Sequence, residues 1–312
     1  MSFSSDVKNE LARLSLDSSC CLNAELSALL RMGGSLVING YNMGVDFYTE
    51  NAALARRVLQ LARGNFNLPL EISVTRSKKL KKNNRYLVRI VPDKETKNVL
   101  KLLGVFSVDD DLEHDKVLLK KSCCKKAFLR GVFLAGGSVS RPTGDYHLEI
   151  VSRSEDLALL AQKTMKNLSI SAKMTDRKGD YIVYVKDADS IISFLNIIGA
   201  HGALLDFENV RVLKEMRGRV NRVVNCETAN LGKTVQAALK QLEAIKYIDE
   251  KMGLSKLTPT LKEAAELRME NPEANLTELA GMAKGNVGKA GMNHRFRKLQ
   301  KIAEDLGLAR GA

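Results

Sequence analysis

Two short stretches, Cys20-Cys21-Leu22-Asn23-Ala24-Glu25-Leu26 and Cys123-Cys124-Lys125-Lys126-Ala127-Phe128-Leu129, carry the same pattern, Cys-Cys-x-x-Ala-x-Leu. Seven residues after each final leucine stands the same tripeptide, Gly-Gly-Ser, at 33–35 and at 136–138. The offset of 103 residues persists to Leu54 and Leu157, and after a shorter linker residues 100–104 correspond to 195–199. A register kept over several motifs indicates an internal repeat. The sequence therefore predicts a duplication, with copies at about 20–104 and 123–199.

Each copy contains the same order of elements. An apolar helix (22–32 or 125–135) stops at the Gly-Gly pair, and we attribute this stop to the left-handed conformation that glycine tolerates. Asn51 and Ser154 are suitable N-caps for a second helix. Short strands are predicted at 36–38, 45–48, 70–75 and 86–91, and at 139–141, 147–151, 172–175 and 181–185. With a closing helix, the order is α-β-β-α-β-β-α twice, which predicts an α+β pseudo-dimer with antiparallel sheets.

The overall composition favours a polyanionic partner. Lys and Arg outnumber Asp and Glu by 49 to 36, although a merely basic protein would show the same excess. Hydrophobic residues make up 45% of the 312 residues, yet no stretch reaches the roughly 18–20 apolar residues of a membrane span. Residues 1–17 lack the apolar centre of a secretory signal. We therefore expect a cytoplasmic protein without a membrane segment.

The cysteines form two adjacent pairs, 20–21 and 123–124, with Cys226 as the fifth. Neither pair has the Cys-x-x-Cys spacing of a metal knuckle or a redox motif, and the sequence contains only four histidines. Reduced, buried thiols are the favoured interpretation over disulfides or zinc. We accordingly expect no metal and no cofactor.

The first two thirds of the chain resemble the LAGLIDADG homing endonucleases, whose nine-letter motif overlays residues 129–137 and 26–34. In that family the eighth letter is an acid that holds a divalent cation over the scissile phosphates. Both eighth letters are glycine here, Gly33 and Gly136, and glycine offers no ligand. The nearest acids, Asp46, Asp145 and Glu149, lie beyond the helix ends. The resemblance thus implies the nuclease scaffold without catalytic residues.

Two basic segments could contact DNA phosphates. Residues 76–85 carry six positive charges and no acid, and their candidate contacts are Lys78, Lys79, Lys81 and Lys82. An exposed, solvated turn is an equally good interpretation, because the counterpart at 176–180 is not strongly basic. Residues 211–222 include Arg217 and Arg219, which could also contact phosphate, although we interpret this segment as a solvated interdomain linker.

From Leu231 onward the pattern is helical. Val235, Leu239, Leu242 and Ile245 form one apolar stripe, Gly253 ends that helix, and Pro259 stands in the first turn of the next. Residues 275–278 have the form of a capping box and start a short helix. A three-residue turn at 284–286 leads to a longer helix over 287–306. Two helices joined by a tight, glycine-containing turn predict a helix-turn-helix at about 275–308.

The second helix of this motif presents an apolar face and a basic face. We expect Met292, Phe296, Leu299 and Ala303 to pack inward. Lys289 and Asn293 are the favoured base contacts, since Lys suits guanine and Asn suits adenine. Arg295, Arg297 and Lys298 are favoured phosphate contacts. The full candidate set is Lys284, Asn286, Lys289, Asn293, His294, Arg295, Arg297, Lys298 and Lys301. The alternative is an ordinary three-helix bundle with a solvated basic face.

The combination of a degenerate LAGLIDADG pair with residues 291–299, Gly-Met-Asn-His-Arg-Phe-Arg-Lys-Leu, resembles the WhiA family along essentially the whole chain. The resemblance implies a LAGLIDADG-like domain at 1–218 and a DNA-binding domain at 219–312. It also implies a bacterial, sequence-specific transcription regulator or nucleoid-associated protein, linked to sporulation, cell division and chromosome segregation. Double-stranded DNA is the expected partner, and a monomer is the expected state.

Two other functions remain open from the sequence. One is a nuclease with relocated metal ligands, which would depend on Asp145 or Glu149. The other is a scaffold whose first domain binds another protein or a small ligand while the C-terminal domain localises it on DNA.

Overall fold

The computed structural model describes residues 2–15, 18–76, 84–105 and 111–308. The chain divides into two compact units, Met1–Lys214 and Glu215–Ala312. Among the described residues, no helix is both long and apolar enough to cross a membrane.

The first unit contains the predicted order of elements twice, so the α+β duplication is confirmed. A preceding helix α1 spans Phe3–Leu11. The first copy consists of α2 (Ser19–Gly33), β1 (Gly34–Asn39), β2 (Asn42–Thr49), α3 (Ala52–Phe66), β3 (Leu70–Arg76), β4 (Asn84–Asp93) and α4 (Lys94–Leu102). After α5 (Asp111–Leu118), the second copy consists of α6 (Ser122–Gly136), β5 (Gly137–Val139), β6 (Leu148–Ser152), α7 (Glu155–Asn167), β7 (Lys173–Arg177), β8 (Asp180–Val185) and α8 (Ala188–Ile198).

Each copy forms a four-stranded antiparallel sheet, and the strand orders are equivalent: β1-β2-β4-β3 and β5-β6-β8-β7. Phe47 lies opposite Val88, and Ile150 lies opposite Val183. These four side chains are all buried, because alternate residues of a strand share one face and that face packs on the helices. The predicted N-caps are also confirmed, since Asn51 Oδ1 accepts from the Ala53 N–H and Ser154 Oγ from the Leu157 N–H.

The duplicated helices α2 and α6 pack against each other in the centre of the first unit. A Cβ atom at Gly131 would lie 2.5 Å from the carbonyl oxygen of Glu25 and 2.8 Å from the Cβ of Ala28. Ala28 and Gly131 are equivalent positions of the two copies, so small residues on both helices permit this close crossing.

The Gly-Gly pairs end their helices for a different reason from the one we expected. Gly34 and Gly137 have φ angles of −82° and −84°, which any residue adopts, so the predicted left-handed conformation is wrong. Space is the limiting factor instead. A Cβ at Gly34 would lie 2.5 Å from the Leu30 carbonyl oxygen, and one at Gly137 would lie 2.7 Å from that of Phe133. The chain passes directly from helix to strand there, and only glycine fits.

A buried ionic network joins the two copies, and no sequence pattern indicated it. Glu25 of α2 accepts from Arg57 Nε at 2.7 Å and Nη2 at 2.9 Å, and from Arg130 Nη1 of α6 at 3.0 Å. Arg130 Nε also donates to the Ile198 carbonyl oxygen at 2.8 Å. Its counterpart in the first copy, Ser27, donates to the Leu103 carbonyl oxygen at 2.5 Å. A side chain of α2 is thus hydrogen-bonded to the end of α4, and a side chain of α6 is hydrogen-bonded to the end of α8.

The second unit is helical. It contains most of α9 (His201–Met252), followed by α10 (Pro259–Glu270), α11 (Leu276–Met282) and α12 (Lys289–Asp305). Gly253, with a φ of +81°, follows α9, and Pro259 opens α10, as predicted.

Residues 211–222, interpreted from the sequence as a solvated interdomain linker, are mostly exposed and contain the boundary between the two units, but they are helical because the whole segment lies within α9. At the start of the segment the basic side chains are engaged within the first unit. Arg211 Nη1 pairs with Asp189 at 2.6 Å, and Lys214 Nζ donates to the Gly144 carbonyl oxygen at 2.7 Å.

The predicted apolar stripe of α9 is largely wrong. Val235 and Leu239 are exposed, and of the predicted positions only Ile245 is fully buried. The face that packs into the second core is shifted around the helix and carries Ala238, Gln241, Ala244, Ile245 and Ile248. Small residues and a glutamine give this face a weak hydrophobic signal, and for that reason the larger exposed side chains dominated the sequence pattern.

Candidate nucleic-acid interface

Helix α11 begins with the predicted capping box. Asn275 Oδ1 accepts from the N–H groups of Thr277 at 2.8 Å and Glu278 at 3.1 Å, while Glu278 Oε2 accepts from the Asn275 N–H at 2.7 Å. These bonds satisfy N–H groups that the first turn of a helix leaves without partners, and they fix where α11 begins.

The turn between α11 and α12 is longer than predicted. It covers residues 283–288, and α12 begins at Lys289 rather than at Val287. Gly285 has a φ of +92°, which supports the expectation of a glycine-dependent turn. The later start has a local cause: Gly288 is extended, with φ −83° and ψ 168°, and is therefore the N-cap of α12.

One face of α12 is anchored in the core of the second unit. Met292, Phe296, Leu299 and Ala303 are all buried, as predicted. Arg268 of α10 lies 5.3 Å from the centre of the Phe296 ring and donates to Gln241 Oε1 at 3.0 Å and to the Ala274 carbonyl oxygen at 2.6 Å. Burial lowers the pKa of this guanidinium. The buried arginine therefore links α9, α10, α12 and the segment before α11.

The remaining surface of α12 is basic and exposed. Lys284, Asn286, Lys289, His294, Arg297, Lys298 and Lys301 are exposed, and Asn293 is half-buried. At 100° per residue, His294, Arg297 and Lys301 point away from the buried face, whereas Lys289 and Asn293 lie at its margin. No acid lies between 284 and 301. The exposed basic face is therefore centred near His294, whereas Lys289 and Asn293, the base contacts that the sequence favours, lie at its edge.

Arg295 has a different position from its basic neighbours. Its Nη1 lies 2.8 Å from Glu263 Oε2, and Glu263 Oε1 accepts from the Lys284 N–H at 2.6 Å. The Lys284 N–H first and Arg295 second hold the pKa of Glu263 below its usual value. Arg295 and Glu263 therefore connect the turn to α10 and α12, a bracing role that no local sequence pattern indicates.

The other predicted phosphate contacts are only partly placed. Lys78, Lys79, Lys81 and Lys82 lie outside the described residues. The flanking strands β3 and β4 are paired as far as Arg76 and Asn84, which lie opposite each other. Arg217 and Arg219 are exposed on α9 in the second unit.

The degenerate motif positions, Gly33 and Gly136, are sterically closed as well as uncharged. A Cβ at Gly33 would lie 2.8 Å from Phe47 Cε2. A Cβ at Gly136 would collide with the terminal methyl of Met32 and would lie 2.5 Å from the Val151 carbonyl oxygen. Neither helix end therefore has room for a carboxylate side chain without displacement of its neighbours.

The nearest acids on the strands are engaged in other bonds. The Asp46 carboxylate accepts hydrogen bonds from Arg89 Nε at 2.7 Å and from Arg89 Nη2 at 2.8 Å. These bonds hold the pKa of Asp46 below its usual range. Glu149, the equivalent residue of the second copy, lies 3.1 Å from Ser138 Oγ and 3.2 Å from His147 Nε2. Asp145 differs from these two acids: it is exposed between β5 and β6, and its bond with Ser140 Oγ, at 2.6 Å, is made by its backbone carbonyl and not by its carboxylate.

Three family profiles match consecutive parts of the chain. They are the WhiA N-terminal LAGLIDADG-like domain at 19–106, the WhiA LAGLIDADG-like domain at 125–217 and the WhiA C-terminal HTH domain at 220–303. A protein of Geobacillus thermodenitrificans named "Probable cell division protein WhiA" is 49% identical over 311 residues, which are 98% of this chain and 96% of that protein. The chain belongs to the WhiA family. A Bacillus subtilis protein of the same name is 46% identical over 310 residues, 98% of this chain and 97% of its own length.

Two solved structures of WhiA proteins are also similar to this chain. The full-length DUF199/WhiA protein from Thermatoga maritima is 27% identical, with a TM-score of 0.61, and the match covers 99% of this chain and 100% of that one. The N-terminal LAGLIDADG domain of DUF199/WhiA is 26% identical, with a TM-score of 0.50, over 63% of this chain and 90% of that one. The WhiA resemblance and the fold class inferred from the sequence are both confirmed.

Proposed function

We propose that this protein is a non-enzymatic, sequence-specific DNA-binding regulator of transcription that acts on the nucleoid in cell division and chromosome segregation. The observation that carries the proposal is the exposed basic surface at residues 284–301, which contain no acid, on a helix-turn-helix braced by Arg268 and Arg295. The link to cell division comes from the names of the family relatives. Sporulation is the corresponding role in species that form spores.

Within the interface, position along α12 divides the contacts. The first turns of such a helix enter the major groove, so Lys289, Asn293 and His294 are the proposed base contacts. Lys284, Asn286, Arg297, Lys298 and Lys301 are the proposed phosphate contacts. The N-terminus of α12 is a further proposed phosphate contact. Gly288 has no side chain to cap the helix, so the backbone N–H groups in the first turn of α12 are available to a phosphate.

Nuclease activity is absent in this proposal. Two-metal cleavage requires carboxylates that hold cations over the scissile phosphates. Steric closure at Gly33 and Gly136, together with the existing partners of Asp46 and Glu149, supports the loss of that chemistry.

A scaffold function for the first unit is the second candidate, and an exposed apolar edge favours it. Ile72 and Val74 are each more than half exposed on β3, which is an edge strand of the first sheet. Ile72→Lys should then alter promoter output while DNA affinity stays unchanged. Unchanged promoter output would argue against a partner at this edge.

The decisive experiment mixes the purified full-length chain with fragmented genomic DNA near physiological salt, and then recovers and sequences the bound fragments. We expect a short shared motif upstream of genes. Lys289→Ala and Asn293→Ala should each weaken binding to that motif by about 1–3 kcal/mol and relax its sequence. Lys246→Ala removes one exposed positive charge from α9 and serves as the matched control. Uniform recovery without a motif would contradict sequence-specific regulation.

A further inference from the structure

The two Cys-Cys pairs of the repeat come together at one end of the α2–α6 pair. The sulfur atoms of Cys20, Cys21, Cys123 and Cys124 all lie within 4.8 Å of one another. Taken separately, neither pair has the spacing of a metal knuckle, and the sequence alone therefore predicts no metal. The duplication changes that conclusion, because each of the two packed helices contributes two cysteine sulfurs from equivalent positions, and together they form a set of four.

We propose that these four cysteines bind a single Zn²⁺ ion. Zn–S bonds of about 2.3 Å in a tetrahedron place the sulfurs about 3.8 Å apart. The Cys123 and Cys124 sulfurs are 4.0 Å apart, and the whole cluster lies within 4.8 Å, so a small contraction completes the geometry. Four thiolates favour zinc over the oxygen-preferring cations. An iron–sulfur cluster fits less well, because its cysteines bind different irons and stand farther apart.

The surroundings of the cluster suit negatively charged sulfur. Cys20 and Cys21 lie in the first turn of α2, and Cys123 and Cys124 lie in the first turn of α6. Neither first turn contains an acid or a side-chain N-cap bond, so both helix N-termini direct uncapped N–H groups towards this region.

A hydroxyl group also turns towards the sulfurs. Ser18, the N-cap residue of α2, does not cap the backbone; its Oγ lies 3.3 Å from Cys20 Sγ and 3.5 Å from Cys21 Sγ. The Ser18 hydroxyl donates to Cys21 Sγ and so can stabilise a thiolate there.

Four protein ligands leave no position for a substrate, so this zinc is structural. Cys123 is exposed and Cys20 is half-buried, which gives the ion a route from solvent. The ion would tie α2 to α6 at their N-terminal ends, opposite the closed motif glycines Gly33 and Gly136. The metal site of this scaffold would thus hold the two copies together and would perform no cleavage.

The test measures metal content in the full-length chain purified under reducing conditions without chelators. We expect inductively coupled plasma mass spectrometry to find one zinc ion per chain. The metal-free chain, titrated with Co²⁺, should develop thiolate-to-cobalt charge-transfer absorption and the intense visible bands of a tetrahedral site. Cys20→Ser combined with Cys123→Ser should abolish both signals. Cys226→Ser, the matched control, removes an exposed cysteine outside the cluster and should leave both unchanged.

Circular dichroism of the double variant shows whether it still folds, so that loss of the ligands can be distinguished from loss of the fold. The cobalt titration of the unaltered chain tests metal binding without any substitution. Zinc should also raise the midpoint of thermal unfolding in the unaltered chain but not in the double variant. Reduced thiols that bind neither Zn²⁺ nor Co²⁺ would overturn the proposal. So would iron with labile sulfide, or a mass two daltons lower that shows a disulfide across the copies.

Discussion

At the scale of the residue, Glu25 is the group on which the first unit depends most. Its carboxylate is 1% exposed and lies between two guanidinium groups, those of Arg57 and Arg130. Because removal of one partner leaves buried charge uncompensated, such a change costs far more than the same change at the surface. The sequence could not show this network, since its members lie on three helices and Phe128 stands at the position equivalent to Glu25.

Glu25→Gln should lower the free energy of unfolding by about 3–5 kcal/mol, because two buried arginines lose their carboxylate. Urea unfolding followed by circular dichroism measures the change. Glu71→Gln is the control, since Glu71 is 65% exposed and lies 3.9 Å from Arg89. Equal stability of the two variants would contradict this account of the network.

The motif position Gly136 gives a second residue-scale prediction. Gly136→Asp restores the acid of the nuclease motif, yet we expect no plasmid nicking with Mg²⁺ or Mn²⁺ and a loss of stability, because the new Cβ collides with Met32 and Val151. Gly144→Asp is the control, as only one atom lies near its Cβ, at 3.9 Å. Metal-dependent nicking by the Gly136 variant would show that the scaffold keeps a latent active site.

At the scale of the element, the helix crossing and the turn before α12 show how far sequence patterns reach. The order of elements, the caps at Asn51 and Ser154 and the buried face of α12 were predictable, because each depends on residues close in sequence. The start of α12 and the buried face of α9 were not. The buried face of α9 depends on packing in the core of the second unit, where small residues give little periodic signal. The start of α12 depends on the extended backbone of Gly288, which the sequence pattern does not reveal.

Gly131→Ala and Gly232→Ala should change stability in opposite directions, although both replace glycine within a helix. At Gly131 the new methyl would lie 2.5 Å from the Glu25 carbonyl oxygen and would force α2 and α6 apart. At Gly232 nothing lies within 4 Å, so the higher helix propensity of alanine should stabilise α9 by about 1 kcal/mol. Thermal unfolding of the two variants measures the signs, and equal signs would argue against a close crossing.

The brace at Glu263 permits a test that separates position from charge. Glu263→Gln removes a negative charge from the second unit, which by electrostatics alone would strengthen DNA binding. We expect weaker binding instead, because the turn at 283–288 and Arg295 lose their anchor. Titration of the selected DNA motif measures the affinity. Since the pKa of Glu263 is lowered, its stabilising effect is complete at neutral pH and is lost only as pH falls through that lowered value.

At the scale of the whole molecule, the duplication explains why the two copies were predictable from the sequence and why the contacts between them were not. The fixed register identified the two copies, and the degenerate motif pair together with residues 291–299 carried the WhiA resemblance. Interactions between the copies, such as the cysteine cluster and the Arg130–Glu25 pair, join residues about a hundred positions apart and become visible only in the folded chain.

The lysines at 78, 79, 81 and 82 can be tested through the salt dependence of DNA binding. If they bind phosphates, replacement of all four by alanine should lower the slope of log K against log salt by about 0.9 for each phosphate that they neutralise. The control replaces Arg177 and Lys178 of the second copy by alanine and should lower the slope less. An unchanged slope in the fourfold variant would favour the solvated turn.

The packing of α2 against α6 also has a consequence for synthesis on the ribosome. The inner face of α2, including Leu26 and Leu29, is completely buried in the finished protein, and Gly131 and its neighbours on α6 supply part of the cover. A nascent chain that ends before residue 122 has no α6, so this apolar face emerges without its partner. The first copy must therefore wait for translation of the second before it is complete, and its exposure to aggregation lasts for as long as the ribosome takes to supply α6.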